Sequence, residues 1–251
     1  MKKLIPLILI LGFIGSGLNL QACELYWYLA ASMSKPGKEI VKKWNQQPGM
    51  CHLYLILGGS GQILSQLYMA KKGDLYTPAS EGFLEKAKDL KIVKHQQLLL
   101  RQTPVFGLSK SGEKQIKSFS DLTKQGIKIA LGNPKTMALG KTYLGIEKQM
   151  DAQTREKIRF NTLLEAINIS QVVNYLLTNA VDAGIVFDTT ATASGISYIE
   201  IPPQINAGNK AYMVTLSFST RTEEVKDLIR FIYGQKSIFK QYGFSLSSPV
   251  D

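Results

Sequence analysis

The chain has 251 residues, 45% of them hydrophobic and 20% charged, enough apolar mass for one large domain or two small ones, which excludes disordered and collagen-like readings. Two histidines and two cysteines are too few to build a multi-ligand zinc site, an iron–sulfur cluster or a multi-copper centre, so any metal chemistry must come in with the ligand; no cofactor is expected. A formal charge of +11 favours anionic partners such as nucleic acid, a membrane surface or small anions, and only two of the lysines, Lys2 and Lys3, sit in the N-terminal leader.

Met1-Lys2-Lys3 followed by the apolar run Leu4 to Leu11 and a small residue at Ala22 reads as a secretory signal peptide over residues 1–22. Gly12, Gly15 and Gly17 and the shortness of the apolar block argue against a membrane span. Leu20-Gln21-Ala22-Cys23 is close to a bacterial lipobox, with Gln21 an unusual residue there, so Cys23 could carry a lipid anchor. The competing reading is a disulfide: Cys23 opens the strand-like run Leu25–Leu29, Cys51 opens Leu53–Leu57, and adjacent parallel strands would bring their starts within bridging distance. Export of a chain with two cysteines favours the bridge.

Past the leader, short apolar runs alternate with helix-like stretches. The spacing predicts a strand over 25–30, a helix over 35–45, a strand over 53–57 and a helix over 62–71. Strands follow at 105–108 and 127–130, helices at about 138–149 and 170–178, a buried strand at 183–187, a strand at 211–218 and a last amphipathic helix at 222–233. Such alternation means an α/β fold with parallel pairing. The mature chain is large for one open sheet, and the 211–218 strand needs a partner among the early strands, so two α/β lobes with a cleft between them are expected: residues 23–104 plus 205–251, and residues 105–204.

Gly58-Gly59-Ser60-Gly61 follows a strand and opens a helix, which aims backbone N–H groups and a hydroxyl at whatever lies above the helix N-terminus; an ordinary turn with Ser60 as cap is the plain alternative. The run falls one residue short of a serine-hydrolase elbow, since Gln62 stands where the last glycine belongs, and only His52 and His95 could serve as base. Gly140-Lys141-Thr142 ends like a phosphate-binding P-loop, yet Lys135 occupies the first glycine position and that reading fails. What remains at 132–139 is again strand, loop and helix start, and Ala30-Ala31-Ser32 and Asn168-Ile169-Ser170 repeat the layout. Four such helix starts exceed what turn chemistry alone needs. The lysine-rich stretches 35–43 and 110–128 lack interleaved aromatics, so nucleic acid is not expected as a partner.

Taken together, these loops resemble the periplasmic molybdate/tungstate-binding proteins of ABC importers, which have the two-lobed solute-binding fold called type II. The likeness rests on Ala30-Ala31-Ser32-Met33, on Leu57-Gly58-Gly59-Ser60-Gly61 with Gln66-Leu67, and on Gly107-Leu108-Ser109-Lys110 with Ser118 to Leu122. It continues through Ile127 to Thr136, Val181 to Phe187 and the ending Ile238 to Phe244. The resemblance implies capture of an oxyanion, molybdate or tungstate, without turnover, by a monomer that delivers it to a membrane permease. It implies that Ser32 and Ser60 give hydroxyls and backbone N–H groups, and that Leu139 and Ile169 give backbone N–H groups. Phe187 takes the place of the family's pocket tyrosine, and Met137-Ala138-Leu139-Gly140 alters the family's small-Pro-Ala-Gly run. Both departures keep sulfate, phosphate and other oxyanions open as ligands.

Overall fold

A computed structural model describes residues 23–244 and 246; the expected leader lies outside the described residues. In chain order the elements begin with β1 (Glu24–Ala30), α1 (Ser34–Trp44), β2 (His52–Gly58), α2 (Ser60–Ala70), β3 (Leu75–Thr77), α3 (Glu81–Asp89) and β4 (Val93–Gln102). Next come β5 (Pro104–Leu108), α4 (Gly112–Gln115), β6 (Ile129–Gly132), α5 (Ala138–Glu147), α6 (Ala152–Phe160), β7 (Thr162–Ala166), α7 (Ile169–Leu177), β8 (Ala183–Phe187), α8 (Asp188–Ala193) and β9 (Tyr198–Glu200). The chain then runs through β10 (Asn209–Leu216), α9 (Thr222–Gly234) and α10 (Lys236–Gln241).

The strands form two five-stranded sheets, ordered β2-β1-β3-β10-β4 and β7-β6-β8-β5-β9. Each sheet is half parallel and half antiparallel. The strands β1, β2 and β3 pair in parallel, as do β6, β7 and β8. Antiparallel pairing joins β10 to β3 and β4, and β5 to β8 and β9. The expectation of parallel pairing thus holds for the half of each sheet built from strand-helix-strand units, while the strands next to the crossings between sheets run the other way. The chain crosses at Thr103 and again between β9 and β10. At the first crossing Asp188 N–H donates to Thr103 O (2.9 Å) and Thr103 N–H donates to Asp188 Oδ1 (3.1 Å).

Burial follows the sequence pattern. β5 and β8 are buried along their whole length, as near-continuous apolar runs require of strands covered on both faces. The packing includes Trp27, Trp44, Phe83, Phe106 and Phe239, all fully buried. Some buried polar groups find partners within the fold: Trp27 Nε1 donates to Thr77 Oγ1 (2.8 Å), and Asp182 accepts from Lys128 N–H (2.9 Å) and Ser111 Oγ (2.9 Å). Cys23 and Cys51 are joined by a disulfide, their Cα atoms 4.5 Å apart, at the start of the β1–β2 pair where Glu24 faces His52. Among the described residues no helix is long and apolar enough to cross a membrane.

Candidate anion site

The site is assembled at the carboxyl ends of the parallel strands, where open α/β sheets leave their crevice. Ala30 and Gly58 lie opposite one another at the ends of β1 and β2, and Gly132 and Ala166 do the same for β6 and β7. Each strand end feeds a helix, so two helix N-termini from one sheet face two from the other. Their first-turn N–H groups lack intrahelical acceptors and carry the positive end of the helix dipole.

Ser32, Ser60, Leu139, Ile169 and Phe187 come together around one cavity of about 20 Å³, completed by Ala30, Ala31, Gly58, Gly59, Ala79, Met137 and Ala138. A cavity of that size leaves room only for a compact solute and lies far below the several hundred Å³ of a site for a drug-sized ligand. No residue of this lining is titratable.

The caps leave the donors free. Ser60, 1% exposed, accepts Ala79 N–H on Oγ (3.1 Å), so its hydroxyl hydrogen remains to be donated, and its carbonyl accepts Tyr76 OH (2.9 Å). Tyr76 is wholly buried, and loss of solvation raises its phenol well above the ordinary value, which keeps it a neutral donor to that carbonyl. Ser32 lies in a short 3-10 turn, Ala31–Met33, between β1 and α1. Its Oγ is buried and finds no hydrogen-bond partner among the described residues. Asn168 caps α7 by accepting Gln171 N–H (3.1 Å), which leaves the N–H groups of Ile169 and Ser170 without a side-chain cap. Leu139 is the second residue of α5, inside the helix rather than in the loop before it, and no side chain caps that helix.

The two sheets meet tightly at this site. Gly61 N–H donates to Thr136 O across the cleft (2.9 Å), Lys141 Nζ to Gly82 O (2.8 Å), Thr142 Oγ1 to Asn209 Oδ1 (3.1 Å), and Lys35 Nζ to Ala193 O. Glycine is required at the contact: a Cβ on Gly59 would stand 2.5 Å from both Thr136 O and Ile167 O, and one on Gly61 2.3 Å from Lys135 O. The structure is therefore the closed arrangement of the two lobes.

Sequence reasoning missed Ala79, Met137 and Ala138 as lining residues, along with the carbonyls of Lys135, Thr136 and Ile167 that seat the opposite lobe. These residues act through the backbone or through small apolar surface, so no side-chain signature marks them. The two histidines lie outside the lining. His52 opens β2 at the end remote from Gly58 and packs edge-on against Tyr54 (centroids 4.6 Å apart), and His95 pairs with Thr215 in β4. Neither offers Ser60 a base, so the site holds no nucleophile–base pair.

Relatives match this chain along most of its length. A protein of Haemophilus influenzae described as a binding protein is 27% identical over 97% of this chain and 98% of its own length. The molybdate-binding protein ModA of Mycobacterium tuberculosis is 22% identical over 87% of this chain and 83% of its own. The periplasmic molybdate-binding protein of Azotobacter vinelandii superposes with a TM-score of 0.74 at 15% identity, covering 89% of this chain and all of that one, and so shares its two-lobed fold. The model of the bacterial extracellular solute-binding proteins matches residues 25–245, and this chain belongs to that family.

Proposed function

We propose that this protein captures a small tetrahedral oxyanion, molybdate or tungstate, between its lobes and hands it unchanged to the membrane permease of an ABC importer. One observation carries the reading: a cavity of about 20 Å³ bounded by four helix starts and two serines, with no titratable side chain in its lining. Neutral donors hold a dianion through charge-assisted hydrogen bonds of roughly 1.5–3 kcal/mol each, which offsets desolvation without a fixed cation and still allows release. Ser32 Oγ, Ser60 Oγ and the N–H groups of Ser32, Ser60, Leu139 and Ile169 are the donors. Phe187 contributes shape and exclusion of water.

In this reading the lobes are residues 23–104 with 205–251, and residues 105–204. They act as rigid bodies that separate about the two chain crossings to admit the ion. Selection works through size, because molybdate and tungstate carry the charge of sulfate on longer bonds. The leader directs export, and the sulfur of Cys23 is committed to Cys51 rather than to a lipid. The protein works as a monomer. Names of relatives that bind molybdate support the choice of ion, and the small cavity supports the class.

Thermal unfolding of the ligand-stripped mature chain against molybdate, tungstate, sulfate, phosphate and chloride at matched ionic strength tests this. An ion at 1,000 times its dissociation constant adds about 4 kcal/mol of stability. Stabilisation by molybdate and tungstate above sulfate is the expected result. A transition unmoved by every oxyanion would overturn the proposal.

A further inference from the structure

Beside the small cavity lies a second chamber of about 130 Å³ that shares Ala31, Ser32 and Ile169 with it. Both lobes contribute to its walls: Ser34, Lys35 and Pro36 at the start of α1, Ser170, Val173 and Asn174 along α7, Thr190, Ala193 and Ser194 around α8, and Phe244. Thr190 is only 7% exposed, and its Oγ1 is buried with no hydrogen-bond partner among the described residues. Ser32 Oγ, on the wall common to both spaces, is in the same condition. Two orphaned hydroxyls on residues that line one chamber are costly unless a ligand or ordered water satisfies them. Lys35 spends one of its three ammonium hydrogens on Ala193 O and can offer the others to an anionic or hydroxyl group. Val173, Pro36, Ala193 and Phe244 supply apolar surface suited to a few methylene groups.

We propose that the second chamber is a subsite for a substituent on the bound oxyanion, so that the protein also takes short organic phosphates whose tail carries a hydroxyl or a carboxylate. The tetrahedral head occupies the small cavity, the carbon tail lies against Val173 and Phe244, and its polar end meets Thr190 Oγ1 and Lys35 Nζ. This rests on the oxyanion reading above and extends its ligand class. It gives the missing hydroxyl at Phe187 a consequence, since contacts to the tail compensate for a donor lost at the head.

Titration calorimetry of the stripped mature chain with inorganic phosphate, molybdate, phosphoglycolate and glycerol 3-phosphate tests the chamber. An organic phosphate is expected to bind at least tenfold more tightly than inorganic phosphate. Thr190→Val, which removes an unpartnered hydroxyl at nearly constant shape, is expected to abolish that gain while leaving molybdate affinity and the unfolding midpoint in place. Binding of inorganic oxyanions with no advantage for either organic phosphate would overturn the subsite and leave the oxyanion reading standing, as would an advantage that Thr190→Val does not touch. Failure of all four ligands to bind would overturn both.

Discussion

Gly59→Ala perturbs lobe closure without removing a side-chain donor. Gly59 has φ −62° and ψ 142°, a conformation alanine adopts freely, so the substitution introduces no backbone strain in its own lobe. The added methyl would lie 2.5 Å from Thr136 O and Ile167 O, both backbone atoms of the opposite lobe. Restoring ordinary contact requires the lobes to part by about 1 Å, which carries the Leu139 and Ile169 N–H groups from hydrogen-bonding distance to beyond it. Two charge-assisted bonds of roughly 1.5–3 kcal/mol each are then weakened or lost, an affinity decrease of about a hundredfold to ten-thousandfold. Titration calorimetry with molybdate measures the loss, and thermal unfolding without ligand serves as control. The control should be unchanged or slightly raised, because alanine restricts the unfolded chain. Wild-type affinity in Gly59→Ala would refute the claim that ligand is held by donors from both lobes at once.

Three further outcomes follow from the same geometry. Ser60→Ala removes a proposed ligand donor and the acceptor of Ala79 N–H, so molybdate affinity should fall about ten- to a hundredfold while the ligand-free chain loses about 1–3 kcal/mol, read by calorimetry and by denaturant unfolding. An affinity loss with no change in stability would contradict the Ala79 contact. The double change Cys23→Ser with Cys51→Ser opens a loop spanning 28 positions, and the chain-entropy relation gives a loss of about 3.5 kcal/mol, visible as a lower unfolding midpoint. Asp121 is held well below the usual carboxylate range, first by Lys124 and then by the backbone N–H groups of Lys117 and Ser118. Its folded value lies under its unfolded one, so its contribution is present above about pH 4 and is lost as pH falls from there. The unfolding midpoint of wild type should therefore drop more steeply below about pH 4 than that of Asp121→Asn, and parallel acid limbs would contradict the assignment.

The alternation of apolar runs with amphipathic stretches made the strand-helix units legible, because a strand buried on both faces and a helix with one wet face differ in period. The β1–β2 pair, the four helix starts and the pairing of the Ala211 strand with earlier ones all follow from that signal. The short strands β3 (Leu75–Thr77) and β9 (Tyr198–Glu200) did not, since three residues carry no period, and β7 (Thr162–Ala166) has half-exposed leucines that look like surface. β4 was missed because its N-terminal half, Val93 to Gln97, is polar and its ladder partner β10 lies more than a hundred residues away. Chain direction in the mixed halves depends on where the chain crosses between lobes, and local pattern does not encode that. At the site, Ser32 and Ser60 stood out as polar residues at helix starts. Thr136 O and Ile167 O act through carbonyl groups that every residue has, so only the folded chain identifies them.

Anomalous diffraction from crystals of the mature chain grown with tungstate tests the central claim most directly, because the metal itself marks the site. A single strong peak enclosed by Ser32, Ser60, Leu139 and Ile169, with the lobes closed around it, is the predicted result. A peak elsewhere on the surface, or none in crystals saturated with the ion, would contradict the account.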